Sequence, residues 1–331
     1  MKCILIIPYF GKFKEYFNLF LLSCKYNNNF DWMIITDNTD EYDFPDNFII
    51  KRMQFSDFRN RIRSKFDFEI SLETPYKLCD YKPAYGYICE EWIREYDYWG
   101  HCDCDLLFGD LTPVEGLLNE GYDKLFCGGH LTIYKNTYST NRIFMSELPE
   151  IGYIYKIVYQ SEKIFAFDEV YFKHNVHSLF ENAKMKLYED DLAYNVAIKH
   201  TGIRRVAYNK SEKDWELEKG KNEQIYWSSG HIYKLSLQTQ KIVTDEYIYI
   251  HLQGRKMNIV GLGNAVQTIK IEPYEFIINS TVPTSVNEYR KNRKLYFDSV
   301  GLKYAYYRIK DLFKGKKTLR YSCPKEFSPY E

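Results

Sequence analysis

Five apolar residues in a row near the N-terminus, Cys3-Ile4-Leu5-Ile6-Ile7, constrain this chain more than any other feature. A continuous run of strand length, with no polar alternation, has both faces covered and belongs in the middle of a sheet. Pro8-Tyr9-Phe10-Gly11 ends it in a turn. Phe13, Phe17, Phe20, Leu21 and Cys24 then recur at helical spacing, one apolar face of an amphipathic helix. Trp32-Met33-Ile34-Ile35-Thr36 follows as a second buried strand and closes on Asp37-Asn38. Strand, helix, strand predicts an α/β fold with a mainly parallel sheet and right-handed crossovers. Ligands of such sheets collect at the carboxyl ends of the strands, which places Tyr9, Phe10 and Asp37 near a site.

The same five-residue run is too short for a signal peptide or a membrane span, so a cytoplasmic protein is expected. Eight cysteines lie mostly inside apolar runs with no CxxC pair, the pattern of reduced, buried thiols. Cys102 and Cys104 alternate with aspartates on one strand and are expected in the core, not on zinc. Lysine plus arginine balance aspartate plus glutamate at 45 each, so no global field recruits nucleic acid. Aromatic residues make up 18% of the chain. Such rings suit sugars and nucleobases, although composition does not separate that use from simple packing.

Chemistry concentrates in three places. Tyr98-Trp99-Gly100-His101-Cys102 leads straight into Asp103-Cys104-Asp105, putting an acidic pair at a strand's carboxyl end. Two aspartates there can share Mg²⁺ or Mn²⁺, which prefer oxygen ligands and leave positions open for phosphates. Upstream, Tyr76-Lys77-Leu78-Cys79-Asp80-Tyr81-Lys82-Pro83 enters a helix expected from Tyr81, Tyr85, Ile88 and Trp92. Lys82 is expected on a phosphate and Asp80 on a ribose or sugar hydroxyl, since a helix start favours anions. Downstream, a strand expected at Glu246–His251 runs into His251-x-x-Gly254-x-Lys256. Neutral imidazole suits Mn²⁺ as a third ligand, glycine lets backbone approach a diphosphate, and lysine supplies counter-charge.

Together these segments resemble the GT-A glycosyltransferases, specifically the retaining branch that includes glycogenin and bacterial lipopolysaccharide galactosyltransferases. The resemblance implies a Rossmann-like mixed, mainly parallel sheet flanked by helices. It also implies Mn²⁺ (or Mg²⁺) on Asp103, Asp105 and His251, with the donor diphosphate at Asp103-Cys104-Asp105. The branch's phosphate-binding lysine falls one place early here, at Lys256 beside Arg255, with Met257 where it is expected. Residues 1 to 260 also look like transferases of bacterial capsule and surface-polysaccharide loci, which share the KLCDYKPAYG and WGHCDCDLLFGDL segments. Phe167-Asp168-Glu169 resembles the acidic motif that faces the acceptor hydroxyl or the anomeric carbon. Gly128-Gly129-His130-Leu131 resembles the loop that closes on donor and acceptor. The implied partners are a nucleotide-sugar donor, UDP-linked, and a saccharide or lipid-linked saccharide acceptor, with retention of configuration favoured.

This reading divides the chain into a catalytic domain at 1–260 and a C-terminal extension at 261–331. Nucleotide-sugar binding is expected in 1–110 and the acceptor part in 111–260. From Arg290 to Arg320 the extension carries eleven basic residues against Asp298 and Asp311. Leu302, Ala305, Tyr306, Ile309, Leu312 and Phe313 recur there at helical spacing. A basic amphipathic helix of this kind either lies on anionic lipid at the inner face of the membrane or packs on the catalytic domain. Two rival functions stay open. One is a Mg²⁺-dependent phosphohydrolase of the haloacid dehalogenase type, with Asp190-Asp191 as its later acidic pair. That family usually places DxD near the chain start with Thr or Val four residues after the first Asp, where Leu107 stands here. The other is a non-catalytic carbohydrate-binding protein, which leaves Asp103, Asp105 and His251 without a purpose.

Overall fold

The computed structural model of this protein describes residues 1–149, 151–170, 173–220, 223–261 and 266–313. The chain opens with β1 (Cys3–Pro8), α1 (Phe17–Lys25), β2 (Phe30–Thr36), β3 (Phe48–Arg52) and α2 (Phe55–Arg63). A 3₁₀ stretch at Pro75–Ala84 leads to α3 (Tyr85–Ile88), β4 (Tyr98–Cys102), β5 (Leu106–Phe108) and α4 (Thr112–Asn119). Next come β6 (Lys124–Leu125), β7 (Leu131–Lys135), α5 (Ile154–Gln160), α6 (Val176–Asn182) and β8 (Leu187–Tyr188). They are followed by β9 (Tyr194–Val196), β10 (Arg205–Asn209), β11 (Asp214–Leu217), β12 (Gln224–Ser228) and β13 (His231–Gln238). The rest comprises β14 (Lys241–Tyr247), β15 (Tyr249–His251), β16 (Asn258–Val260), β17 (Thr268–Glu272), β18 (Glu275–Ile278), α7 (Val286–Lys291) and α8 (Ser299–Phe313).

The result is a mixed α/β fold with three sheets, and the first is ordered β3-β2-β1-β4-β7-β6-β8. It is parallel from β3 to β4 and antiparallel at β4–β7 and β7–β6. The apolar run of β1 explains its central place. Ile4 and Ile6 pack with Phe58 and Ile62 of α2 and Tyr159 of α5, whereas Leu5 and Ile7 pack with Phe17 and Phe20 of α1. Both faces are covered, as a non-alternating strand requires. A Leu5→Ala change in such a core costs about 2–5 kcal/mol. Glycine at 100 is forced by the same packing, because a Cβ there would meet Thr132 O at 2.5 Å.

Two expected elements form differently. The helix expected from Tyr81 to Trp92 is broken into 3₁₀ turns and a four-residue α3. Pro83 lies inside the 3₁₀ stretch and has no N–H, so an unbroken α-helical ladder cannot pass through it. The strand expected at 246–251 is two strands. β14 pairs with β13 in the third sheet, and β15 sits between β9 and β5 in the second. Ile248 makes the transfer, donating to Leu192 O and accepting from Gly109 N.

The third sheet, ordered β14-β13-β12-β17-β18-β16, joins strands from both sides of residue 260. At the C-terminal side, a Ser285/Glu288 capping box starts α7, and its Tyr289 is buried with Tyr226 and Leu235. On α8, Leu302, Tyr306, Ile309 and Phe313 are all exposed, Phe313 to 88%. The side chains of Arg308, Asp311 and Leu312, and all of Lys314, Lys316, Lys317 and Arg320, lie outside the described residues. Among the described residues no helix is long and apolar enough to cross a membrane.

Candidate metal and ligand site

A cleft of about 800 Å³ opens where the carboxyl ends of β1 and β4 meet the second sheet. Tyr9 and Phe10, just past β1, line it. The Tyr9 ring stacks on Phe13 at 4.7 Å, and Phe10 packs against Phe55 and Phe58, so both are anchored in the core. Asp103, Cys104 and Asp105, between β4 and β5, also line the cleft. The pairing of β15 with β5 sets His251 opposite Leu106, and Leu252 N donates to Asp105 O at 3.0 Å. Residues nearly 150 apart in sequence are thus made neighbours by one rung of a ladder. Ligand atoms of Asp103, Asp105 and His251 lie within 4.8 Å of one another.

The imidazole of His251 is oriented from behind. On its other side β15 pairs with β9, His251 against Asn195. Asn195 Oδ1 takes His251 Nδ1 at 2.9 Å and Gln253 Nε2 at 2.8 Å. With Nδ1 held by Asn195, Nε2 is the ring atom left to face the acids, 3.4 Å from Asp105 Oδ1 and 4.0 Å from Asp103 Oδ2. This is the arrangement a metal-binding imidazole needs. Gly254, at φ +69°, turns the chain so that its N–H donates to Asp105 Oδ2. Burial opposes charge on Asp105, yet His251, Lys14 and that amide together hold its carboxyl well below the usual range. Two carboxylates and an imidazole nitrogen, which gives up any proton on binding a cation, fit Mn²⁺ or Mg²⁺.

Lys82 bridges this group to the acidic motif. Its ammonium contacts Asp103 Oδ1 at 2.8 Å, Asp168 Oδ2 at 3.2 Å and Gly129 O at 2.7 Å. Gly129 is required, since a Cβ there would lie 2.3 Å from Asp168 Oδ2. Its N–H donates to Glu169 Oε2 at 3.3 Å. Burial pushes the Asp168 carboxyl up to about 7, with Glu169 and Asp103 adding to it and Lys82 opposing.

Other expected residues are placed differently. Asp37 does not line the cleft; its carboxylate accepts from Gly11 N at 2.7 Å and fixes the turn after β1. Asp80 is fully buried and bonded to backbone amides, so it meets no ribose. Lys256 is exposed and outside the cleft lining. The cation near Asp105 is Lys14, at 3.7 Å. Arg255 points away, donating to the carbonyls of Ala197, His200 and Thr201. Burial pushes the Cys102 and Cys104 thiols far up, which keeps them protonated. Asp191 pairs with Arg205 at 3.3 Å, and neither it nor Asp190 lines the cleft.

Sequence reasoning missed Lys14, Asn195 and the rim of the cleft. Tyr76, Ile164 and Ile198 line it while exposing 76%, 40% and 48% of their surface. Two further groups among the described residues have metal-like spacing, Cys127/His177/Glu189 and Asp110/His231/Glu246. In the first, the Lys124 ammonium already stands 3.3 Å from His177 Nδ1. Neither group lies in this cleft.

Comparison with known proteins gives a family without a known role. The family of unknown function DUF6625 matches residues 5–280, and the chain belongs to it. No curated protein matches. Among solved structures, the crystal structure of A197 from STIV is similar over 67% of this chain and 96% of that one, at 15% identity. The TM-score is 0.26, too low to carry an argument.

Proposed function

For this member of a family of unknown function, we propose a metal-dependent glycosyltransferase of the GT-A kind, moving a sugar from a nucleotide-sugar to a saccharide acceptor. One observation carries the reading: Asp103, Asp105 and His251 converge in the same cleft as Asp168 and Glu169. A bound Mn²⁺ or Mg²⁺ would supply counter-charge to a leaving diphosphate. The chain's own residues do the rest. Tyr9 and Phe10 offer aromatic and apolar surface for a base at the end of β1, and Lys14 adds positive charge beside Asp105. Tyr76, Ile164 and Ile198 give an apolar rim on which the C–H face of an acceptor sugar can rest. In transfer, the bond from the anomeric carbon to the phosphate oxygen breaks, a bond to the acceptor hydroxyl oxygen forms, and the hydroxyl proton passes to the departing diphosphate. On this reading Asp168 and Glu169, which line the same cleft, orient that hydroxyl or stabilise positive charge on the sugar. The sheet order and its parallel β3-β2-β1-β4 portion support the GT-A reading, and retention is favoured by analogy with the histidine-bearing branch.

The basic segment from 290 to 320 is the proposed contact with anionic lipid. The exposed stripe on α8 supports the lipid reading over packing against the body of the protein.

The test is a thermal-shift screen of sugar nucleotides with and without Mn²⁺, followed by nucleotide release. We expect Mn²⁺-dependent stabilisation and release by at least one UDP-sugar. Phosphomonoester hydrolysis without sugar-nucleotide turnover would establish the phosphohydrolase instead. Neither activity, across all donors, would overturn the enzyme reading.

A further inference from the structure

We propose that the buried Lys77–Asp80 pair is a positioning device that sets the 163–169 segment and, through it, Asp168 and Glu169. Its kinetic consequence rests on the glycosyltransferase reading; its structural consequence does not. Lys77 and Asp80 are 3% and 0% exposed, with Nζ 2.8 Å from Oδ2. Neither spends its remaining bonds on solvent or on the cleft. Lys77 Nζ donates to Val158 O at 2.9 Å and to Lys163 O. Asp80 accepts from Phe165 N at 3.1 and 3.2 Å and from Phe167 N at 3.1 Å. The cation thus grips carbonyls on the upstream side of the segment, and the anion grips the amides that flank Ala166.

Ala166 explains why a grip is needed. Its φ is +49°, a left-handed conformation that a residue with a Cβ adopts only when its surroundings impose it. The two amides on either side are the ones Asp80 holds. Immediately beyond lies Asp168, 3% exposed and joined to Lys82. A buried ion pair is weak evidence for stability, because well-packed apolar residues often replace it at no loss. A pair whose every partner lies on Val158 or the 163–167 segment is better explained by geometry.

The experiment replaces the pair as a whole, Lys77→Met with Asp80→Leu, since either change alone would strand a buried charge. Three readouts are compared with wild type: Mn²⁺-dependent thermal shift, hydrogen exchange at the Phe165 and Phe167 amides, and steady-state turnover. We expect the thermal shift to survive, because Asp103, Asp105 and His251 are untouched. Exchange at the two amides should rise at least tenfold. Turnover should fall about 10²-fold in kcat with little change in donor KM, the cost of a misplaced reacting group. Amides that stay protected, or an unchanged kcat in an active enzyme, would overturn the proposal. If wild type turns over no sugar nucleotide, the glycosyltransferase reading fails, and the exchange measurement alone decides whether the pair sets the segment.

Discussion

Substituting Asp105 by Asn separates the ligand role of this side chain from its structural one. The carboxylate accepts from Gly254 N, faces His251 Nε2 at 3.4 Å and lies 3.7 Å from Lys14 Nζ. An amide keeps an oxygen for the Gly254 N–H but presents no charge to a cation. Hydrogen bonds to charged groups contribute about 1.5–3 kcal/mol and neutral ones about 1, so Asp105→Asn should cost about 1 kcal/mol, or roughly 1–2 °C in Tm for a chain of this length. Asp105→Ala strands the Gly254 amide as well and should cost about 1–3 kcal/mol more. Because the carboxyl's folded pKa is depressed from 3.8, its stabilisation is present above that pH and lost only as the pH falls below it. Assays near neutrality therefore see the full effect. Turnover should drop by about 10²–10³ or more in both variants, as for removal of one electrostatic stabiliser. The Mn²⁺-dependent thermal shift should vanish in both. Turnover of Asp105→Asn within about threefold of wild type, or full wild-type activity in EDTA, would refute the reasoning.

Asn195→Leu removes the acceptor that fixes the His251 tautomer and should weaken Mn²⁺ binding about 10–100-fold, measured by calorimetry; unchanged affinity would show that the imidazole needs no orienting partner. The raised pKa of Asp168 has the opposite sign to that of Asp105. Its contribution is present in full below about 3.8 and is lost as pH rises through about 7. Metal-free Asp168→Asn should therefore hold its Tm across that window where wild type declines, and parallel Tm curves would contradict the burial argument. For the lipid contact, flotation with anionic vesicles at low salt should carry wild type upward and leave a Leu302→Glu/Tyr306→Glu/Ile309→Glu variant in the soluble fraction. Substitution is preferable to ending the chain near 285, because that would also remove Tyr289 from its buried place beside Tyr226 and Leu235. Equal behaviour of the two proteins would make α8 a structural element.

The opening of the fold was legible because its signals are local: a non-alternating apolar run, a helical stripe, a second run. Asp103 and Asp105 were legible because a strand's end is itself a local signal. His251 was found through a motif, yet the reason it meets the aspartates, its rung opposite Leu106, is a pairing between distant strands. Lys14 left no comparable trace, being one lysine among many, whereas Lys256 sits one place short of a pattern and lies outside the cleft. Asp80 was misassigned for an instructive reason. An acid at a helix entry ordinarily faces solvent or caps the helix, and only the buried course of 163–167 shows where its oxygens go. The split at Ile248 was equally hidden, since both halves read as β-strand.

Arg255 carries one more consequence. Its guanidinium bonds the carbonyls at 197, 200 and 201, while the next residue back, Gly254, hands its amide to Asp105. The loop bearing Ile198 and the turn beneath Asp103, Asp105 and His251 are therefore tied together through residues 254 and 255. Whatever orders the turn also orders the rim. If the proposed glycosyltransferase reading holds, thermodynamic linkage makes the influence mutual: a cation should raise affinity for an acceptor sugar by the same factor that the acceptor raises affinity for the cation. An Arg255→Ala enzyme that still binds both, but without that reciprocity, is the signature to look for in paired titrations.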